Sequence, residues 1–306
     1  METNLEQIDD DKSVPKFQDI DVLPGENDFI KELGEDHVGI YSQGDDTLIV
    51  CFENLDKVEE SNMNRAPWGY SFICGLGHSL LGLMAAKWSW YRDNAVLDFF
   101  DELKEQVFFD KFSKVVFYGA SMGGYAAAAF SSVAPGSTVI IMSPQATLER
   151  RVASWETRYR KAWIRDFNGC YGYAPDQVKS AKKVYLFFAP DNREYAVHAA
   201  LFREENIYKI RCLFLGHRMA SLMQRLGILK STVLSCINGD ITSNSFYSDL
   251  RKRREENRYQ LEMLNRLVRK KRPDLIVKYC SAVLARRPAP KFRRQLNIAR
   301  TTLEQS

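Results

Sequence analysis

The sequence predicts an α/β fold: a mostly parallel sheet with helices on both faces, a helical lid insertion and a C-terminal helical extension. Short continuous apolar runs such as Leu48-Ile49-Val50-Cys51-Phe52 read as strands buried on both faces. They alternate with segments of helical periodicity, the pattern of a sheet built from crossover units. The 306 residues suffice for one large α/β domain with an appendage, and 45% hydrophobic content supplies its core.

In chain order, 37–42 and 47–53 read as strands joined by a Gly-Asp-Asp turn, and 79–85 as a further strand. NAVLDFFDELKEQVFFDKF, 94–112, has helical spacing after an Asp93-Asn94 start. Then follow a strand at 115–118, an Ala-rich helix at 122–133 and a strand at 138–142. After an insertion over 145–182 come a strand at 184–188, a helix at 195–206 and a last strand at 210–215. The expected division is an acidic arm 1–36, an α/β domain 37–244, and a basic helical extension 245–306.

Charge is distributed along this plan. The 43 Lys+Arg and 39 Asp+Glu nearly cancel, yet residues 1–36 carry a net −9 and residues 251–306 a net +12. Such ends suggest accessory segments around a near-neutral core, or two ends that pair with each other. No apolar run reaches the roughly 18 residues of a membrane span. METNLEQIDDDKSV lacks the features of a secretory signal, and the six cysteines form no C-x-x-C pair. A cytoplasmic protein without disulfides, metal or cofactor is expected.

Tyr118-Gly119-Ala120-Ser121-Met122-Gly123-Gly124 carries the sharpest chemical signal. A G-x-S-x-G between a strand and a helix is what a tight nucleophile turn requires, with small residues where the chain nearly meets itself. The helix N-terminus offers the Met122 N–H to a developing oxyanion. Serine needs a base. Of His37, His78, His198 and His217, only His217 follows a late apolar strand, where the sites of open α/β sheets gather. Asp191, after the strand YLFFAP, is the candidate acid with Glu194 in reserve, although an Asp there also suits a helix N-cap.

With GASMGG at 119–124 and the order Ser121, Asp191, His217, the sequence resembles the α/β-hydrolase superfamily over roughly 37–236. The resemblance implies Ser121 as nucleophile, His217 as general base, Asp191 as orienting acid and Met122 N–H as half of an oxyanion hole. It implies that the second donor comes from Glu53 or Asn54, and that the insertion is a lid. The implied function is hydrolysis of an ester or thioester, of a small molecule or a glycan. Serine acyl transfer, or a non-catalytic role in assembly or secretion, are the alternatives.

Trp155, Tyr159, Trp163 and Phe167 recur every four residues in the insertion, and Arg151, Arg158 and Arg165 every seven. The spacing predicts one helix with an aromatic stripe, so Trp155 and Tyr159, with Trp68 and Tyr125, are candidate substrate contacts. The tail from 251 holds Arg251-Lys252-Arg253-Arg254 and Arg269-Lys270-Lys271-Arg272. Its two amphipathic helices, broken at Pro273 and ending at Pro288, resemble a single tetratricopeptide-type hairpin. A protein partner at 251–306 is expected; no nucleic-acid motif accompanies the charge, so nucleic acid is not.

Overall fold

The computed structural model describes residues 25, 27–53, 55 and 66–305. Most of the acidic arm, and Asn54, lie outside the described residues. The apolar runs form eight strands: β1 (Phe29–Leu33), β2 (His37–Ser42), β3 (Thr47–Phe52), β4 (Ser79–Ala85), β5 (Lys114–Ala120), β6 (Thr138–Met142), β7 (Lys183–Phe188) and β8 (Ile207–Arg211). They lie in one sheet of order β1-β2-β4-β3-β5-β6-β7-β8. β2 runs antiparallel to β1 and β4, and every later pairing is parallel.

The helices are α1 (Tyr70–Cys74), α2 (Asn94–Glu105), α3 (Met122–Ala129), α4 (Arg150–Ala153), α5 (Ala174–Gln177), α6 (Arg193–Leu201), α7 (Met219–Arg225), α8 (Leu229–Asn238), α9 (Ser243–Leu250), α10 (Asn257–Arg269), α11 (Pro273–Leu284) and α12 (Pro290–Glu304). α3 is buried along its whole length. Its alanines and glycines permit this, because a helix apolar on every face must sit inside the protein. α2 instead buries one stripe, Val96, Phe99, Phe100 and Leu103. Phe100 stacks on Phe130 beyond α3 and on Phe52 of β3, with ring centroids 4.2 and 5.7 Å apart. Such aromatic pairs each contribute about 1 kcal/mol beyond their buried area.

Two expectations shift. Residues 29–33, assigned by charge to the acidic arm, are β1, zipped onto β2 from Phe29–Tyr41 to Leu33–His37. The last strand is 207–211, four residues before the apolar run Leu213-Phe214-Leu215 ends. Cys212 N–H still bonds Phe188 O, after which Phe214 adopts φ 65° and turns the chain out of the sheet.

The chain divides into two compact units, Met1–Ser243 and Asn244–Ser306. In the second, Leu264 of α10, Ile276, Cys280 and Val283 of α11, and Phe292 and Leu296 of α12 make a small core. Pro273 and Pro290 open α11 and α12 at a first-turn position, where the missing N–H costs nothing. The tail helices therefore continue beyond Pro288. No helix among the described residues is long and apolar enough to cross a membrane.

His37, at the start of β2, is buried with its Nε2 2.6 Å from Ser89 Oγ and 3.5 Å from Asp93. Burial pushes this imidazole down to about 4 from its ordinary 6.5, against the pull of Asp93. A histidine depressed by folding stabilises the fold above its unfolded pKa, and that share is lost as pH falls towards the folded value. Between about pH 7.5 and about pH 5, His37 alone is expected to remove about 2 kcal/mol. Urea unfolding at the two pH values checks this; equal stabilities would contradict it, and His37→Gln should flatten the slope.

Candidate active site

Ser121 stands between β5 and α3 with φ 52° and ψ −121°, a region that costs a non-glycine residue about 1–3 kcal/mol. Its neighbours make the turn possible. A Cβ on Gly119 would lie 2.0 Å from Gly123 O, and one on Gly123 would lie 2.4 Å from Phe52 O. Any side chain at either place would force the turn open. Backbone bonds at the carboxyl ends of the strands hold it shut: Ser121 N–H to Met142 O, Ser143 N–H to Phe187 O, and Cys212 N–H to Phe188 O. The loops after β5, β6, β7 and β8 are thereby tied in succession along one rim.

Although Ser121 precedes a helix, its side chain makes no capping bond. The Oγ instead lies 3.1 Å from His217 Nε2, across 96 residues of sequence. The His217 loop leaves β8 and passes through positive φ at Phe214 and Gly216. Asp191 braces it: Oδ1 accepts the Phe214 N–H at 2.8 Å. The helix cap after β7 is the next residue, Asn192, whose side chain accepts the Glu194 and Tyr195 N–H groups. Asp191 is thus left for the loop, while Glu194 lines a cavity of about 380 Å³ with Trp155, Arg193 and Val197.

Met122 N–H opens the first turn of α3, where no preceding helical carbonyl can accept it. On the facing loop, Glu53 N–H donates to Leu83 O at 2.9 Å, because the β3–β4 ladder runs one residue past Phe52. The expectation that this N–H completes an oxyanion hole is corrected accordingly. The Glu53 carboxylate accepts the Ala85 N–H at 3.3 Å, so it is directed at the end of β4.

Of the four aromatic candidates, Tyr125 and Tyr159 are buried and Trp68 and Trp155 half-buried. Tyr125 is fully buried in α3, its OH donating to Tyr171 O and Gly172 O at 3.1 Å each. Tyr159 is also buried, edge-on to Trp90. Trp68 stacks on Tyr118 of β5, and Trp155 covers His198. The expected single helix with an aromatic stripe does not form. Glu149 and Glu156 each accept a backbone N–H two residues on, which restarts the chain as α4 and then as a 3₁₀ run, Thr157–Ile164, broken at Tyr159. These side-chain caps compete with helix continuation.

Sequence reasoning missed what Glu156 does. Fully buried, it takes two bonds from the Arg158 guanidinium, one of them Nε to Oε1 at 2.8 Å, and one from His198 Nε2 at 3.1 Å. His198 Nδ1 accepts the Ala146 N–H, so its proton sits on Nε2. Burial alone would raise the Glu156 carboxyl, but Arg158 and His198 hold it down at about 2. Arg165 likewise pairs with Asp93 at 3.2 Å, leaving Arg151 as the exposed member of the arginine series.

Among the described residues no cluster of histidine, cysteine or carboxylate side chains is placed to hold a metal ion. The sheet order, the turn after β5 and the helices on both faces define an α/β-hydrolase-like fold. No family model and no curated protein matches the chain. It is similar to a solved capsule O-acetyltransferase of Neisseria meningitidis serogroup A, at 14% identity over 66% of this chain and 93% of that one, with a TM-score of 0.43. It is similar also to the esterase Pf2001 of Pyrococcus furiosus, at 16% identity over 69% and 91%, with a TM-score of 0.44. For Est1E of Butyrivibrio proteoclasticus the identity is 13% over 69% and 99%, with a TM-score of 0.41.

Proposed function

We propose that this chain is a serine hydrolase that cleaves an ester or thioester through an acyl-enzyme on Ser121. The observation that carries the reading is the 3.1 Å approach of Ser121 Oγ to His217 Nε2, within reach for direct proton transfer. As Oγ attacks the acyl carbon, Nε2 takes its proton and the Met122 N–H faces the developing oxyanion. The imidazolium then gives the proton to the departing alkoxide or thiolate. Water repeats the sequence on the acyl-serine and frees the acid. Asp191 serves as the orienting acid by fixing the loop that carries His217. A non-water acceptor would make the same chemistry acyl transfer.

The test is a fluorophosphonate probe on the purified chain, with the adduct located by mass spectrometry. Stoichiometric modification of Ser121 is expected. The loss of Glu53 N–H to the sheet favours a second reading, a hydrolase-like partner in assembly or secretion without turnover. A folded chain that leaves Ser121 unmodified would select that reading and end the first.

A further inference from the structure

We propose that Tyr195 and Arg158 are positioning residues for His217, forming a stack that holds the base in line with Ser121. This deepens the serine-hydrolase reading and rests on it. The Tyr195 ring, on the buried side of α6, lies nearly parallel to the His217 imidazole, at 18° with centroids 5.6 Å apart. The Arg158 guanidinium carbon lies 4.4 Å from the centre of the same Tyr195 ring. Arg158 also borders Tyr159 at 5.2 Å. It cannot drift, because Glu156 holds it through both Nε and Nη2. Glu156 is in turn fixed by His198, which is anchored to the Ala146 backbone.

A histidine on a loop can rotate about two side-chain bonds, and the bond from Ser121 restrains only one ring nitrogen. A flat aromatic surface beside the imidazole restricts tilt of the ring plane, which a hydrogen bond to Nε2 leaves loose. Tyr195 gains its own rigidity from the cation–aromatic contact with Arg158, an attraction strengthened away from water. The insertion, by this reading, braces the base from behind through Arg158 and Glu156. Its effect should appear in the reactivity of Ser121 and leave substrate affinity untouched.

Tyr195→Leu keeps apolar bulk and removes the flat surface; Tyr195→Phe keeps the surface. At saturating fluorophosphonate, labelling of Ser121 is expected to slow about 30-fold in Tyr195→Leu, with unchanged half-saturation, and by less than about 3-fold in Tyr195→Phe. Arg158→Lys keeps the charge for Glu156 without the planar group and should slow labelling about 5-fold. It replaces Tyr195→Leu should that variant not fold. A folded Tyr195→Leu that labels at the native rate, or a Tyr195→Phe as slow as Tyr195→Leu, overturns the proposal. NMR of the His217 ring protons reads the stack without any reaction. They should shift in Tyr195→Leu and stay in Tyr195→Phe, and unmoved resonances overturn the stack. Failure of the native chain to label strikes the Ser121 reading alone, while the NMR result still decides the stack.

Discussion

Ser121→Ala is expected to lower kcat on an activated ester such as p-nitrophenyl acetate by about 10⁵-fold, with KM little changed. The hydroxyl removed is the one proposed to form the acyl bond, and it lies 3.1 Å from His217 Nε2. His217→Ala should fall within about tenfold of the same loss, because nucleophile and base act as one unit. The double variant should lose hardly more than either single one. Steady-state kinetics on the three variants checks all of this. Turnover by Ser121→Ala within tenfold of the native rate would place the chemistry elsewhere.

Gly119→Ala should be among the most damaging single methyl groups in the described residues. The new carbon would stand 2.0 Å from Gly123 O, 2.3 Å from Gly123 C and 2.8 Å from Gly124 N. Those are backbone atoms, which cannot swing aside as a flexible side chain would. Relief requires β5 and α3 to part, and both are packed: β5 between β3 and β6, α3 buried throughout. The expected cost is about 3 kcal/mol or more, together with loss of Ser121 labelling even in molecules that remain folded. Urea unfolding and probe labelling together test it. A stable variant that labels at the native rate would show that the turn is looser than its geometry implies.

Legibility followed distance along the chain. The turn at 119–123 was readable because its requirement is local: a strand, two glycines around a serine, then alanines. β6 was placed to the residue because an unbroken apolar run bounded by turn residues has little else to become. β1 is hard to read because FIKEL interrupts its apolar residues with Lys31 and Glu32, leaves Ile30 exposed and lies in a strongly acidic segment. Only pairing with β2 makes it a strand. β8 ends before its apolar run does: Leu213 and Leu215 look like strand residues, while the chain there turns at Phe214. The aromatic stripe at 155–167 misled for a related reason. Period four describes a helix only if the backbone stays helical, and Glu149 and Glu156 spend their carboxylates on capping instead.

By itself the amino-acid order determined β2 to β7, the buried helix α3 and the strained serine between β5 and α3, since steric limits and side-chain periodicity act over a few neighbouring residues. His217 is legible by its place after a late apolar strand, but tertiary structure alone decided that it comes within 3.1 Å of that serine, that Glu53 N–H belongs to the sheet, and that Arg158, Tyr195 and His217 stack. Those outcomes depend on loops from distant strands arriving at one rim, where hydrogen bonding and packing between separated segments select the partners.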